Sequence, residues 1–465
     1  MNMINVRRLA VMTFLGAGML SDISAQDFSL QADTLNEARL PAQWDLQSCI
    51  DYALEQNITI RKNRVTAEST QIDVKTAKAA LFPSLSFSTS QQVVNRPYQE
   101  TSSRVSGSEI ISSNSKTSYN GNYGLNASWT IYNGSKRLKI LKQERLNNQI
   151  AELDVATSEN TIKESIAQIY IQILYAAESV RVNENTLQVS IAQRDRGQEL
   201  LNAGSIAKSD LAQLEAQVST DRYQLVTAQA TLQDYKLQLK QLLELDGENE
   251  MNVYLPKLSD ENVLAPLPAK KDVYVSALAI RPEIEASKLN VEASELGIDI
   301  AKSSYFPTIS LSAGIGTNHT SGSDFTFGEQ VKNGWNNSFG LSVSVPIFNN
   351  RQTKSAVQKA KLQRETNMLS LLDEQKALYK TIESLWLDAN SAQQRYAAAN
   401  EKLRSTQISY DLISEQFNLG MKNTVELLTE KNNLLQAQQE QLQAKYMAIL
   451  NTQLLKFYQG DKLTL

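Results

Sequence analysis

Few residues in this chain have the type and spacing to do chemistry. His319 is the only histidine among 465 residues. No cysteine, carboxylate cluster or second histidine stands beside it at metal-ligand spacing, and it falls in a polar stretch that reads as a solvated loop. The acidic run Asp246-Gly247-Glu248-Asn249-Glu250 lacks the spacing of a calcium loop and reads as a solvated helix end. Cys49 is the single cysteine and cannot pair within the chain. At the start of an amphipathic helix it reads as a buried thiol. No Gly-rich phosphate loop, Ser/His/Asp set or Cys/His set stands out. Convergent titratable groups for an enzyme are missing, and no metal or cofactor is expected.

The acids that do stand out lie just past two glycines. Asp210 follows Gly204-Ser205-Ile206-Ala207-Lys208-Ser209, and Glu426 follows Gly420-Met421-Lys422-Asn423-Thr424-Val425. Both fall in the first turn of a helix, where a carboxylate favours the dipole.

What positions them is a pair of helical runs, 135–203 and 351–419, each stopped by one of these glycines. At 1.5 Å per residue each run is a rod of about 100 Å. A compact enzyme has no use for two such rods. After Gly204 a helix over 208–245 carries Leu211, Leu214, Val218, Asp221, Leu225, Ala228, Leu232, Tyr235, Leu239 and Leu242. That alternation of threes and fours means a left-handed coiled coil, and Asp221 is its one polar member. The second rod repeats the spacing with Leu378, Ile382, Leu385, Ala389, Ala392, Tyr396, Ala399 and Leu403.

Each rod is preceded by strands. Helical pattern runs from Asp45 to Leu81, broken near Asn57-Ile58-Thr59 and stopped by Phe82-Pro83. Leu85, Phe87 and Thr89 then alternate with serines. Residues 95–118 show no periodicity and read as a long loop. Tyr119, Gly121, Tyr123, Leu125, Ala127, Trp129 and Ile131 alternate with polar residues, a strand with one apolar face. The plan then recurs. Ala77-Lys78-Ala79-Ala80-Leu81-Phe82-Pro83 matches Ala301-Lys302-Ser303-Ser304-Tyr305-Phe306-Pro307. Arg281-Pro282 breaks the second copy's first helix, with proline suited to a first helical position. Ile309, Leu311, Ala313 and Ile315 form one strand face, 318–337 a loop, and Phe339, Leu341, Val343, Val345 and Ile347 the last strand. The chain is an internal duplication: 26–245, a linker over 246–271 with three prolines, and 272–465.

The leader is a signal peptide by pattern. Arg7 and Arg8 precede an apolar stretch to Leu20, and Ile23-Ser24-Ala25 supplies small residues before Gln26, so 1–25 is expected to be removed on export. Net charge is −4, which offers no basic surface to nucleic acid. No apolar run reaches the roughly 18 to 20 residues a spanning helix needs.

Strands of about ten residues, apolar on one side and rich in Tyr and Trp, fit an outer-membrane barrel. Four strands cannot close, and open edges are not tolerated in lipid, so the chain must associate. Two copies would give eight strands and a filled interior; three would give twelve and a wider lumen.

The Phe-Pro exits into duplicated strand pairs, the long helices and the turns at Gly204 and Gly420 together resemble the TolC-like outer-membrane efflux proteins. The likeness covers nearly all of the chain after residue 25, through the order and repetition of short motifs. It implies a mainly α fold with a membrane β-barrel portion: a homotrimer with a 12-stranded barrel and an α-helical tunnel through the periplasm. It implies a passive exit duct in outer membrane lipid, joined by a periplasmic adaptor to an inner-membrane pump of RND or ABC type. A protein-secretion duct and a periplasmic coiled-coil scaffold are the competing readings.

The resemblance also implies roles at the tips. Gly204, Ser205, Gly420 and Met421 would form the docking end. Glu426 matches a position that can carry a constricting acidic ring. Three carboxylates about 8 Å apart would repel by about 2 kcal/mol per pair at an effective dielectric of 20. The chain departs from the fuller pattern, since Thr429 stands where a second acid can occur and Phe417 where a tyrosine can lock the closed state. Lys422 could still reach Asp210 of a neighbouring hairpin, and a plain helix-capping role for Asp210 and Glu426 stays open.

Overall fold

The computed structural model describes residues 41–98, 102–106, 109–113, 116–246, 251–256, 263–321, 323 and 325–464. The expected signal segment and most of the acidic run lie outside them. The described chain divides into two compact units. In the smaller, Trp44 N donates to Asn252 O and Tyr254 N to Trp44 O, both at 2.8 Å, a parallel bridge that sets Trp44 opposite Val253. The larger carries every helix and strand that follows.

Helix α1 (Leu46–Gln56) opens on Asp45, whose carboxylate accepts from Ser48 N at 2.7 Å. It buries Cys49 completely, and burial pushes that thiol up to about 12. Helix α2 (Ile58–Ala79) begins one residue after Asn57, which accepts from Thr59 N at 3.0 Å and Ile60 N at 3.4 Å. The break expected across three residues is thus a single asparagine that ends one helix and caps the next.

Strand β1 (Ser84–Asn95) leaves Pro83 and pairs antiparallel with β4 (Thr117–Asn133). The stretch expected to be a featureless loop holds a two-stranded ribbon, β2 (Ser102–Ser106) and β3 (Glu109–Ser113), with Arg104 opposite Ile111. Its strands are too short and too rich in serine to show a period.

Helices α3 (Lys136–Asn202) and α4 (Lys208–Leu242) form the first long hairpin. Beside the 67 residues of α3 lie α2 and α4, of 22 and 35 residues, joined end to end. At the joint Asn57 Nδ2 donates to Leu242 O at 3.0 Å, and Ile58 N to Glu244 Oε1 at 3.2 Å. Helix α4 stops short of the expected Leu245, with Leu243 as its cap and Glu244 turning to φ 56°. Every residue of its expected seam is buried or half-buried.

The second half repeats the order. Helix α5 (Lys270–Ile280) is followed by Arg281, then α6 (Pro282–Ser303) with its proline at the first position. Then come β5 (Thr308–Thr320), α7 (Phe327–Asn333) and β6 (Asn336–Ser344). The second long hairpin is α8 (Gln352–Asn418) and α9 (Thr424–Gln459). Two expectations need correction. The loop placed over 318–337 contains α7, opened by Thr326, whose N–H donates to Glu329 Oε2 at 2.8 Å. Val345 and Ile347 lie past the end of β6, because Pro346 has no N–H to continue a ladder.

The core sits where α5, α6, α8 and α9 meet, built from Val273, Ala277, Ile284, Leu378, Ile382, Ala389, Leu455 and Tyr458. Arg281 is buried beside it, its guanidinium 3.5 Å over the Tyr458 ring and 3.0 Å from Glu164 Oε1.

Candidate functional site

The two hairpin ends are built alike. Gly204 and Gly420 take φ 75° and 74°, the left-handed conformation that glycine adopts without steric cost. Ser205 N donates to Leu200 O at 2.8 Å and Met421 N to Gln416 O at 2.9 Å, the six-to-one bond of a Schellman end. A Cβ at either glycine would meet nothing within 4 Å, so both tips stand open.

The polar residues expected at the tips are caps in this chain. Asp210 accepts from Ala207 N at 3.0 Å. Glu426 accepts from Asn423 N at 3.2 Å while Asn423 Oδ1 accepts from Glu426 N at 2.9 Å, a complete capping box. Lys422 Nζ lies 2.6 Å from Glu426 Oε1, so within the chain the lysine pairs with Glu426 and not with Asp210. Its hydrogen bond, with that of Asn423, holds Glu426 below the usual carboxylate range. Phe417 is buried, and its carbonyl accepts from Gly420 N at 2.9 Å.

At the other end of the helices lies one antiparallel sheet in the order β1-β4-β5-β6. Its register joins like with like. Leu85, Ala127, Ala313 and Phe339 stand opposite one another, as do Trp129, Leu311 and Leu341. One residue along, Ser84, Ser128, Ser312 and Gly340 line up, then Thr130, Ser310 and Ser342. Over these rows one face is therefore apolar and the other is hydroxyl and amide. The apolar face is uncovered, with Phe339 and Leu341 86% and 67% exposed. Strands β1 and β6 each pair on one side only among the described residues. A bulge between Thr130 and Tyr132 sets Tyr132, not Ile131, opposite Ile309. No helix among the described residues is long and apolar enough to cross a membrane.

His319 is not in a solvated loop. It belongs to β5, opposite Gly121, where a Cβ would run into the imidazole. The ring packs among Tyr119, Tyr123 and Phe327 at centroid distances of 5.3, 5.9 and 5.0 Å. Strand pairing runs to Thr320, three residues into the expected loop. Among the described residues no three His, Cys, Asp or Glu side chains converge to hold a metal.

Two residues that sequence reasoning passed over complete the buried chemistry. Asp221 meets Lys431 of α9 and Ser190 of α3. The lysine also donates to Ser190 Oγ, and Gln217 Nε2 donates to Asp221 Oδ1 at 2.9 Å. Lys431 and Asp221 side chains are 3% and 1% exposed. Burial lowers the lysine's pKa, against the pull of Asp221. A signal existed: Thr424, Leu427, Lys431 and Leu434 follow the seam spacing, so a lysine occupied an inward position.

Comparison with known proteins agrees with this architecture. The profile of the outer membrane efflux protein family matches residues 49–244 and 273–460. The outer membrane efflux protein BepC of Brucella suis is 25% identical over 63% of this chain and 61% of its own length. Outer membrane protein TolC of Escherichia coli is 24% identical over 69% of this chain and 66% of its own length. The match thus spans less than two thirds of either relative. The crystal structure of the outer membrane protein VceC from Vibrio cholerae shares the fold, with a TM-score of 0.73 at 16% identity over 90% of this chain and 97% of that one. With matches on both halves, the chain belongs to the outer membrane efflux protein family.

Proposed function

We propose that this chain is one third of a passive exit duct, a homotrimer that carries small molecules from an inner-membrane pump through the periplasm and out. Membership in the outer membrane efflux protein family supports this reading. The observation that carries the reading is the sheet. It is apolar on one face, polar on the other, open at both edges among the described residues, and continuous with two helices of 67 residues.

Unpaired edges are not tolerated in hydrocarbon, so β1 of one copy pairs with β6 of the next. Three copies give twelve strands and a bore wide enough to stay wet, where two would fill their own interior. The leucines and phenylalanines then face lipid, and the serines and asparagines face the lumen. Each long hairpin extends that lumen by about 100 Å.

The tips are the working end in this reading. Gly204, Ser205, Gly420 and Met421 offer the docking surface for a periplasmic adaptor, with Leu419 and Met421 70% and 71% exposed to meet it. Glu426 lines the mouth as a ring of three carboxylates, with Lys422, Asp210 and Phe417 supporting its turn and that of α4. The pump that the adaptor joins is of RND or ABC type.

The test is crosslinking in intact cells followed by detergent purification from outer membranes. Co-purification of an adaptor and a pump, with trimers that conduct in planar bilayers, is the expected outcome. A single-chain species soluble without detergent and electrically silent would refute it.

A further inference from the structure

The contact between the two hairpins of one chain is not uniform. Neutral bonds cross it at Ser179–Gln439, Gln193–Tyr410 and Gln217–Asn432, at 3.2, 2.9 and 3.4 Å. Between them lies the charged cluster: Lys431 of α9 bonded to both Asp221 of α4 and Ser190 of α3. Ser190 in turn donates to the carboxylate. All three side chains are at most 3% exposed. By helical rise the cluster lies about 16 to 25 Å along the helices from the tip glycines.

A buried ion pair is an expensive way to join two coils. Leucines at the same seam positions would pack as well and avoid the desolvation of two charges. What the pair adds is selectivity. Each charge is tolerated only with its partner in place, so one docking of α9 on α3 and α4 is strongly preferred.

The duplication does not supply this cluster. At the offset that carries Gly204 onto Gly420, Ser190 corresponds to Thr406, Asp221 to Ala437 and Lys431 to Glu215. The corresponding contact between neighbouring copies would bring Thr406 and Ala437 towards Glu215, which have no ion pair to make.

We propose that Lys431, Asp221 and Ser190 form a clasp that fastens the two hairpins of one chain into a single unit above the tip. On the trimeric reading given above, the six hairpins then work as three fastened pairs, and unfastening a pair widens the mouth.

The test uses the full-length protein in detergent, with Lys431→Met, Asp221→Asn and the double variant. Each single change strands one buried charge, and the double removes both. Hydrogen–deuterium exchange is read over 214–222 and 427–435, with β4 and β5 as internal references. Each single variant should exchange at least tenfold faster in both segments with the strands unchanged, and the double should return to within threefold of the parent. In planar bilayers the singles should conduct more than the parent and the double about the same. If one single variant fails to assemble, the other and the double carry the same forecast. Singles that exchange like the parent, a double as fast as the singles, or strands that loosen equally would overturn the clasp. A parent protein that is monomeric or silent in bilayers would instead sink the duct reading, while the exchange rates still decide the clasp.

Discussion

Replacing Leu341 by arginine would put a guanidinium on the apolar face of β6, opposite Leu311, at a position now 67% exposed. If that face meets hydrocarbon, the cost near the bilayer midplane is about 2–4 kcal/mol per chain. Threefold symmetry repeats the insult at three separated sites, which brings the trimer's loss to about 6–12 kcal/mol. The neighbouring residue supplies the control. Ser342 stands opposite Ser310 on the polar face, one residue and one pleat away. Ser342→Arg should place the same charge in lumen water and cost within about 0.5 kcal/mol per chain. The assay is folding into phospholipid vesicles, scored by urea titration of the assembled trimer, with reversal potentials for any variant that inserts. Leu341→Arg should insert poorly and unfold at much lower urea. Ser342→Arg should insert like the parent and shift the current towards anions. Equal losses in the two variants, or a larger loss for Ser342→Arg, would refute the assignment of lipid and lumen faces.

Glu426→Ala should lessen divalent-cation block of single-channel current, and unchanged block would remove the carboxylate ring. Lys422 and Asn423 hold Glu426 below the ordinary carboxylate range, against the mutual repulsion of a ring, so in Lys422→Met the block should fade at a higher pH than in the parent. Gly420→Trp forces a side chain into φ 74°, which costs an L-residue about 1–2 kcal/mol and reshapes the exposed turn. Drug export by that strain should fall while the trimer still assembles, and full resistance would count against docking at this tip. Asn57→Ala removes the cap of α2 and the bond to Leu242 O, and should cost about 1–2 kcal/mol. A thermal midpoint equal to the parent's would show that the end-to-end joint of α2 and α4 does not depend on this amide.

Most of the fold is legible in the chain because its signals are local and repeated. The rods read as 135–203 and 351–419 are helices Lys136–Asn202 and Gln352–Asn418. A 3.5-residue seam sustained over many turns admits no other element, and a glycine at positive φ ends each helix sharply. The strand faces were legible for the same reason: alternation over a dozen residues assigns every side chain once the register is known. Short elements escaped. The β2–β3 ribbon and α7 carry too few residues for a period to emerge, and His319 looked like loop because polar residues surround it in sequence although aromatic rings surround it in space.

The candidate sites divide along the same line. That Asp210 and Glu426 occupy first turns follows from their distance to a helix-ending glycine, a relation within a few residues. That Lys422 turns to Glu426 and away from Asp210 depends on rotamers and on the course of a separate hairpin. Asp221 was visible as the one polar residue of its seam, yet its partner lies 210 residues further along the chain. Period and capping act over one or two helical turns, so sequence alone determined the faces of the long elements and the lengths and ends of the two rods. Which buried charge meets which depends on how separate helices pack, and packing is decided by the whole chain at once. The tertiary structure alone therefore placed Lys431 against Asp221, Asn57 against the end of α4, and the four apolar strand faces on one side of a single sheet.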